Sequence, residues 1–256
     1  MSETEQVRFL TDCFSSIGLP LSERQKKQLL GYDERLVEKN RVMNLTAITE
    51  YEDVVIKHFA DSAVLFSEKY RETLKSLGLP ENPSIIDVGT GAGFPGLVLA
   101  IMKPQAKVYL LDALRKRIDF LSELSEELEL QNTVVAHGRA EEAVKFSWPW
   151  SENGCLREQF DLAVSRAVSD LSVLAEYCLP YVRVGGLFAA YKSGSPDEEI
   201  SRAGNALDIL GGEIAEILRF ELPVSKDPRS IILIKKVRET PEKYPRKAGK
   251  PEKKPL

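Results

Sequence analysis

The residues from Asp87 to Gly96 (DVGTGAGFPG) follow the apolar run Ser84-Ile85-Ile86 and open a new apolar segment. This is how a strand feeding a glycine-rich turn and a helix is written. Gly89, Gly91 and Gly93 remove Cβ atoms where a tight turn must bring its backbone close to a ligand, and Asp87 stands at the strand's end as a hydrogen-bond acceptor for that ligand. The chemistry implied is recognition of an adenosine-containing molecule. Its identity stays open on these residues, because Gly91, Gly93 and Gly96 also satisfy the dinucleotide pattern GxGxxG. A second strand, Lys107 to Leu111, ends at Asp112, where either a dinucleotide or an S-adenosylmethionine fold places an acid on ribose hydroxyls.

The elements that must hold these residues divide the chain. Residues 1–78 read as a helical cap, with a long segment from Leu21-Ser22 through Val42 and a further apolar pattern from Val54 to Phe66. From residue 84 strands and helices alternate: Ser84 to Gly89, Phe94 to Met102, Lys107 to Leu111, Arg115 to Leu130, Asn132 to His137 and Phe160 to Ser165. Strands separated by helical patterns predict right-handed crossovers and a parallel α/β sheet. Leu187 to Tyr191, a helix near Pro196 to Leu210, and the runs Glu213 to Leu222 and Ser230 to Val237 complete the domain, residues 79–238. The last two runs read as an antiparallel hairpin. A doubly wound sheet finishing in this way resembles the class I S-adenosylmethionine methyltransferase fold, which is Rossmann-like, more than a nicotinamide domain. The only loop of odd composition is Trp148 to Cys155.

A chain of 256 residues with 43% hydrophobic content can bury one substantial core and an appended smaller unit. Cys13, Cys155 and Cys178 are widely separated, with no CxxC or Cys/His ligand spacing, so neither a metal site nor a disulfide framework is expected. The N-terminus lacks a basic stretch followed by an apolar run, and nothing approaches a membrane span, so the expected compartment is the cytoplasm. Net charge is -4 but unevenly spread: Lys235 to Leu256 carries nine Lys or Arg against three Glu, leaving -10 on the rest. Residues 239–256 form a basic tail that either lies along phosphates or is a solvated end. Tyr244 and Arg246, between prolines, point to a docked conformation.

Six motifs occur in order: NRVMNLTAI (Asn40 to Ile48), HFADS (His58 to Ser62), DVGTGAGFPG, LLDALRKR, GRAEE (Gly138 to Glu142) and SRA (Ser165 to Ala167). Together with the closing YPRKAGKPEKKPL, they resemble the bacterial small-subunit rRNA guanine-N7 methyltransferase family, the glucose-inhibited division protein B group. Several of these motifs lie outside the cofactor fold common to methyltransferases. The resemblance implies S-adenosylmethionine as cofactor, 16S rRNA or the small ribosomal subunit as partner, and methylation of one guanine at N7. It implies that Gly89 and Phe94 contact the cofactor, Asp112, Ala113 and Leu114 flank its ribose, Ala140 and Glu141 meet its adenine, and Arg166 closes the site. It also makes the segment with Asn40, Asn44 and Thr46 a candidate lid or substrate contact.

Guanine N7 already carries a lone pair and no proton at neutral pH, so alignment and electrostatics suffice and no general base is assigned. His58 and His137, the only histidines, read as structural. Arg115, Lys116 and Arg117 begin the helix after Asp112, and Arg139 and Lys192 lie near strand ends on the cofactor side. These residues, with Arg246 in the tail, are the candidates for holding RNA phosphates. The competing functions are methylation of a protein or small molecule and NAD-dependent oxidoreduction. Nothing in the sequence requires more than a monomer.

Overall fold

The computed structural model describes residues 1–145, 154–166 and 169–256, so most of the Trp148 to Cys155 loop and Ala167 of the SRA motif lie outside the described residues. Helices α1 (Glu3–Ser16) and α2 (Glu23–Met43) start alike. The hydroxyls of Ser2 and Ser22 accept from the amides of Glu5 and Gln25, whose side chains accept in return from the cap amides. These are capping boxes, each satisfying amides that a helix start leaves without partners. α2 ends at Asn44 in a left-handed conformation, φ 50°, which a short polar side chain adopts more readily than most.

The cap continues without a break through α3 (Tyr51–Val54), a π-helical turn over Val55–Ala60, α4 (Asp61–Ala63) and a 3-10 turn over Val64–Phe66, then closes with α5 (Glu68–Ser76). The alternating part follows: β1 (Ser84–Val88), α6 (Gly96–Met102), β2 (Lys107–Asp112), α7 (Arg115–Glu127), β3 (Thr133–His137), α8 (Ala140–Ala143), β4 (Phe160–Ser165) and α9 (Leu171–Cys178). β5 (Val182–Ser193), α10 (Asp197–Leu210), β6 (Gly212–Glu221), β7 (Pro228–Lys236) and α11 (Lys250–Lys253) complete the chain. The sheet runs β3-β2-β1-β4-β5-β7-β6, parallel through β5, with β7 antiparallel to both β5 and β6. The terminal hairpin is thus present, and its second strand inserts beside β5. Chain order reverses at β1, between β2 and β4, which opens a crevice beyond the strands' carboxyl ends.

Strand residues alternate between two cores, as the two-residue period of a pleated strand requires. Ile85, Val108, Leu110, Leu162 and Leu187 face the cap, α6 and α7, where Phe14, Leu29, Tyr32 and Phe59 are buried. Ile86, Tyr109, Leu111, Ala163 and Phe188 face α9, α10 and Tyr244 of the tail. The cap therefore shares a core with the sheet. α9 was not legible in the sequence because LSVLAEYC is buried on nearly every side, which erases the amphipathic period that marks a helix.

The basic tail is docked against the α9 side. Lys236, fully buried, donates to the Leu179 carbonyl at 2.7 Å and to Thr240 Oγ1 at 2.6 Å, and pairs with Glu158 at 3.0 Å. Arg157 donates to the carbonyls of Thr240, Pro241 and Tyr244. Arg246 makes a two-pronged ion pair with Glu176 of α9, and the same carboxylate accepts from the Arg246 amide at 2.8 Å. A planar guanidinium matched to both carboxylate oxygens is the strongest form of such a pair, and Glu176 is fully buried. Removing the acid strands a charge inside the protein, so Glu176→Ala is expected to lower unfolding free energy by about 3 kcal/mol. Urea denaturation measures this, and a loss below about 0.5 kcal/mol, the level of an ordinary surface change, contradicts it.

Candidate functional site

A cavity of about 260 Å³ opens beyond the carboxyl ends of β1 to β4. Gly89 stands at the end of β1; Asp112, Ala113 and Leu114 at the end of β2; Gly138 to Glu141 after β3; and Ser165 at the end of β4. A larger hollow beside α5, lined by Phe66, Arg71, Lys75 and Lys103, lies away from the glycine turn. The crevice at the sheet reversal is where an open α/β sheet binds its ligand.

The glycines of the turn have different tasks. A Cβ built on Gly89 or Gly91, both with positive φ, meets no atom within 4 Å, so these positions present bare backbone to open space. On Gly93 it would strike the Tyr32 hydroxyl, and on Gly96 the side chains of Leu110 and Asp87. Gly93 and Gly96 thus serve close packing of turn and helix, which periodicity alone does not separate from ligand contact.

The two aspartates also differ. Asp112 lines the cavity and orders its rim: Oδ2 accepts from the Gly91 amide at 2.9 Å, Oδ1 from the Leu114 amide at 2.8 Å, and Arg117 lies 3.4 Å away. Oδ2 thus accepts twice, from Gly91 and from Arg117, while Oδ1 keeps lone-pair capacity for a further donor such as a ribose hydroxyl. Asp87 sits beneath the turn instead, fully buried, with Oδ2 accepting from the Gly96 amide at 2.8 Å at the start of α6. Burial pushes its carboxyl up to about 7. Its Oδ1 and the Thr90 hydroxyl are buried without a well-formed hydrogen bond.

Arg166 joins the sheet to the cap. Its Nη1 donates to the Lys57 carbonyl at 2.9 Å and to Asp61 Oδ2 at 3.0 Å, while Nη2 donates to His58 Nδ1 at 3.0 Å. The guanidinium carbon lies 5.1 Å from the centre of the Phe94 ring. Phe94 is sandwiched: His58 stacks on it at 4.4 Å and Tyr32 at 5.2 Å between centres. An arginine cannot accept a hydrogen bond, so Nδ1 of His58 must be unprotonated and Nε2 carries the hydrogen, donated to Thr46 Oγ1 at 2.8 Å. Burial, and then the Arg166 charge, push the His58 imidazole down to about 3. Three of five guanidinium N–H groups are used here, leaving two for a ligand.

The remaining candidates fall into place as follows. Ala113, Leu114, Arg117, Arg139, Ala140 and Glu141 line the cavity. Arg139 lies 3.7 Å from Glu141, whose buried carboxylate also accepts from the Gly249 amide at 3.0 Å. Arg115, exposed, pairs with Asp119 on its own helix. Lys192 donates to the Ser169 carbonyl at 2.7 Å and Glu199 at 2.6 Å. Asn44 is exposed at the end of α2, and Asn40 closes the following turn by exchanging two hydrogen bonds with the Thr46 backbone. His137 contacts the Ala113 carbonyl at 3.1 Å. Arg246 faces inward to Glu176, away from any phosphate. Tyr177 and Glu252 line the cavity without having been anticipated, since neither belongs to a strand end or glycine turn.

These features fit an adenosine-bearing sulfonium. Bare backbone at Gly89 and Gly91 admits close approach, and the Asp112 carboxylate lines the cavity with an oxygen able to accept a further hydrogen bond. Among the described residues no group of three or more His, Cys, Asp or Glu is placed to hold a metal, and no helix is long and apolar enough to cross a membrane.

Relatives by sequence point the same way. The family model described as rRNA small subunit methyltransferase G (GidB) matches residues 25–226. A ribosomal RNA small subunit methyltransferase G from Alkaliphilus metalliredigens is 45% identical over 252 residues, 98% of this chain and 99% of its own. Its counterpart from Lachnoclostridium phytofermentans is 48% identical over 242 residues, 94% and 93% of the two chains. Among solved structures, a SAM dependent methyltransferase from Aquifex aeolicus aligns with 64% of this chain and 88% of its own, at 22% identity and a TM-score of 0.45.

The imidazole supplies a pH test. An unfolded histidine titrates near 6.5, whereas folded His58 titrates near 3, so between these values the unfolded chain binds the extra proton. The stability contributed is complete above pH 6.5 and is lost as pH falls toward 3. From pH 6.5 to 4.5 the wild type is expected to lose about 2 kcal/mol more than His58→Gln, from roughly 1.4 kcal/mol per pH unit. Equal losses of unfolding free energy in the wild type and His58→Gln between the two pH values, measured by urea unfolding, would contradict a buried neutral His58.

Proposed function

We propose, from the premise that this chain belongs to the family described as rRNA small subunit methyltransferase G, that it methylates N7 of one guanine of 16S rRNA in the small ribosomal subunit. It is an S-adenosylmethionine-dependent rRNA methyltransferase with the class I Rossmann-like fold. We take its working form to be a monomer in the cytoplasm, where its ribosomal substrate is made.

When bound, S-adenosylmethionine supplies a methyl group on positively charged sulfur, to be taken in line by the guanine N7 lone pair, with the S–CH3 electron pair remaining on sulfur and the positive charge passing to the base. Gly89, Gly91 and Phe94 shape the turn that receives the cofactor's methionine end, with Gly93 packing that turn on Tyr32 and Asp87 holding it from below. Asp112, with Ala113 and Leu114, takes the ribose. Ala140 and Glu141 stand at the adenine end.

The observation that carries this assignment is a second cavity, of about 560 Å³, lined in part by chain neighbours of residues that line the first. Ser165 and Ser169 line the first cavity, and Arg166 and Asp170, their chain neighbours, line the second. The end of β4 and the described residues before α9 therefore contribute to both linings. Lys192, Glu199, Arg202 and Arg229 add charged groups to the second cavity. Guanine offers donors at N1 and N2 and acceptors at O6 and N7, so mixed acids and cations suit it better than a uniformly basic wall would. Arg166, Lys192 and Arg202 line the second cavity, and with Arg115, Arg117, Arg139 and Asn44 they are the candidates for meeting flanking RNA phosphates. Arg246 is dropped from that set because Glu176 holds it.

Among the described residues lining the second cavity, Asp170 and Glu199 are paired with Arg202 and Lys192, which leaves them poor proton acceptors. His58 Nδ1 is occupied by Arg166, and Asp61 is held by Arg166 and lies 3.7 Å from Arg229. That favours N7, which has no proton to lose, over N1 or the exocyclic amine.

Purified protein is to be incubated with radiolabelled S-adenosylmethionine and small-subunit rRNA from cells lacking the enzyme, free and within the subunit, and the label mapped. Label at a single guanine N7 is the expected result, and label on N1, N2 or a ribose overturns the position. Arg166→Ala, losing an oriented charge-assisted donor at the methyl-transfer edge, is expected to lower kcat/KM by at least about 100-fold. Single-turnover kinetics check this, and a loss below tenfold would remove Arg166 from the site.

A further inference from the structure

The tail ends at the cofactor cavity. Its anchors on Lys236, Arg157 and Arg246 carry the chain along α9, and Gly249 then turns it, with φ 74°, so that its amide donates to Glu141. Pro251 is buried, and α11 leaves Glu252 on the cavity wall, where the Tyr177 hydroxyl donates to its Oε1 at 3.3 Å. Two members of this last contact, Tyr177 and Glu252, and the Gly249 acceptor, Glu141, all line the cavity.

The lining assigns ends to the ligand. Gly89 and Ser165 mark the β1 and β4 side, Asp112 the end of β2, and Gly138 to Glu141 the β3 side, next to Tyr177 and Glu252. With ribose at Asp112 and the sulfur end toward β1 and β4, the nucleobase falls on the side that the tail covers. Glu141 already accepts from Gly249 and lies beside Arg139, whereas Glu252 forms no ion pair among the described residues. A carboxylate only accepts hydrogen bonds, and adenine's exocyclic amine only donates them.

We propose that Glu252, steadied by Tyr177 and by the anchored tail, accepts a hydrogen bond from the exocyclic amine of adenine, making the C-terminal segment a wall of the cofactor site that sets its preference for adenine. This rests on the methyltransferase assignment and deepens it. The inverted prospect, inosine in place of adenosine, presents a carbonyl oxygen where the amine was and would set two acceptors against each other.

Calorimetric titration of the full chain with S-adenosylhomocysteine and with S-inosylhomocysteine tests the assignment. The wild type is expected to prefer the adenosyl compound by at least about tenfold, the worth of one hydrogen bond to a charged group. Glu252→Gln, whose amide can either accept or donate, and Glu252→Ala, which can do neither, are expected to bring that ratio within about threefold while the melting temperature of the free protein holds. Tyr177→Phe is expected to weaken adenosyl binding with a smaller change in the ratio. Tight adenosyl binding with an unchanged ratio in both Glu252 variants overturns the role of Glu252 and leaves the methyltransferase assignment standing. Binding of neither compound by the wild type overturns both.

Discussion

A guanidinium largely withdrawn from water needs partners for its charge, and Arg166 finds its own only because three remote stretches of chain converge. Lys57, His58 and Asp61 come from the π-helical turn and α4 of the cap, Phe94 from the glycine turn, and Arg166 itself from the end of β4. Burying such a charge unpaired would cost several kcal/mol, so cap, turn and sheet have to assemble together for any of them to be in register. The Lys57 carbonyl and the His58 ring, from the π-helical turn, and the Asp61 carboxylate, at the start of α4, converge on this one cation. The cap is thus part of the site's wall, and the shared core of Tyr32, Phe59 and Phe94 is its packing counterpart.

The same principle of internal neutralisation governs the tail. Nine cations against three acids allow either an arm along phosphates or a solvated end, with Tyr244 and Arg246 pointing to docking. In the structure Lys236 and Arg246 turn inward to Glu158 and Glu176 while Arg238 pairs with Asp208. What remains outward includes Lys247, Lys250, Lys253 and Lys254, close to the cofactor rim. A net charge counted along sequence overstates the field a partner meets whenever part of it is spent on buried pairs. Here the tail's positive residues hold its own course along α9.

The strands and long helices were legible because their signals are local: capping boxes at Ser2 and Ser22, two-residue alternation in Ile85-Ile86, and a glycine turn after β1. The placement of the glycine turn, Asp112 and the Gly138 to Glu141 segment around one crevice was legible as well, since chain reversal fixes where strand ends meet. What escaped depends on three-dimensional proximity between distant residues. Arg166 was expected to close the site, but its pairing with His58 leaves no trace in spacing, and His58 by itself read as a structural residue. Glu176 hides in a helix too apolar to show a period, and Glu252 and Tyr177 meet only because Arg157 and Arg246 route the tail past α9. Asp87 shows the reverse case: a motif position suggestive of ligand contact is occupied by a carboxylate whose visible partner is the Gly96 amide.

The two cavities also constrain how charge can move between them. The acids of the second cavity are already met by cations: Asp61 by Arg166, with Arg229 near, Glu199 by Lys192, and Asp170 by Arg202. Such a wall offers oriented hydrogen-bonding groups with little net charge. A base that arrives neutral and becomes cationic would then be held by geometry at first and find no excess negative charge to retain it afterwards. Preorganised dipoles suit the transfer step because they need no reorganisation as charge shifts, whereas a strongly acidic pocket would bind the methylated base too well. Neutral His58, locked between Arg166 and Thr46, fits the same logic, since it accepts from Arg166 without adding a second positive charge beside it.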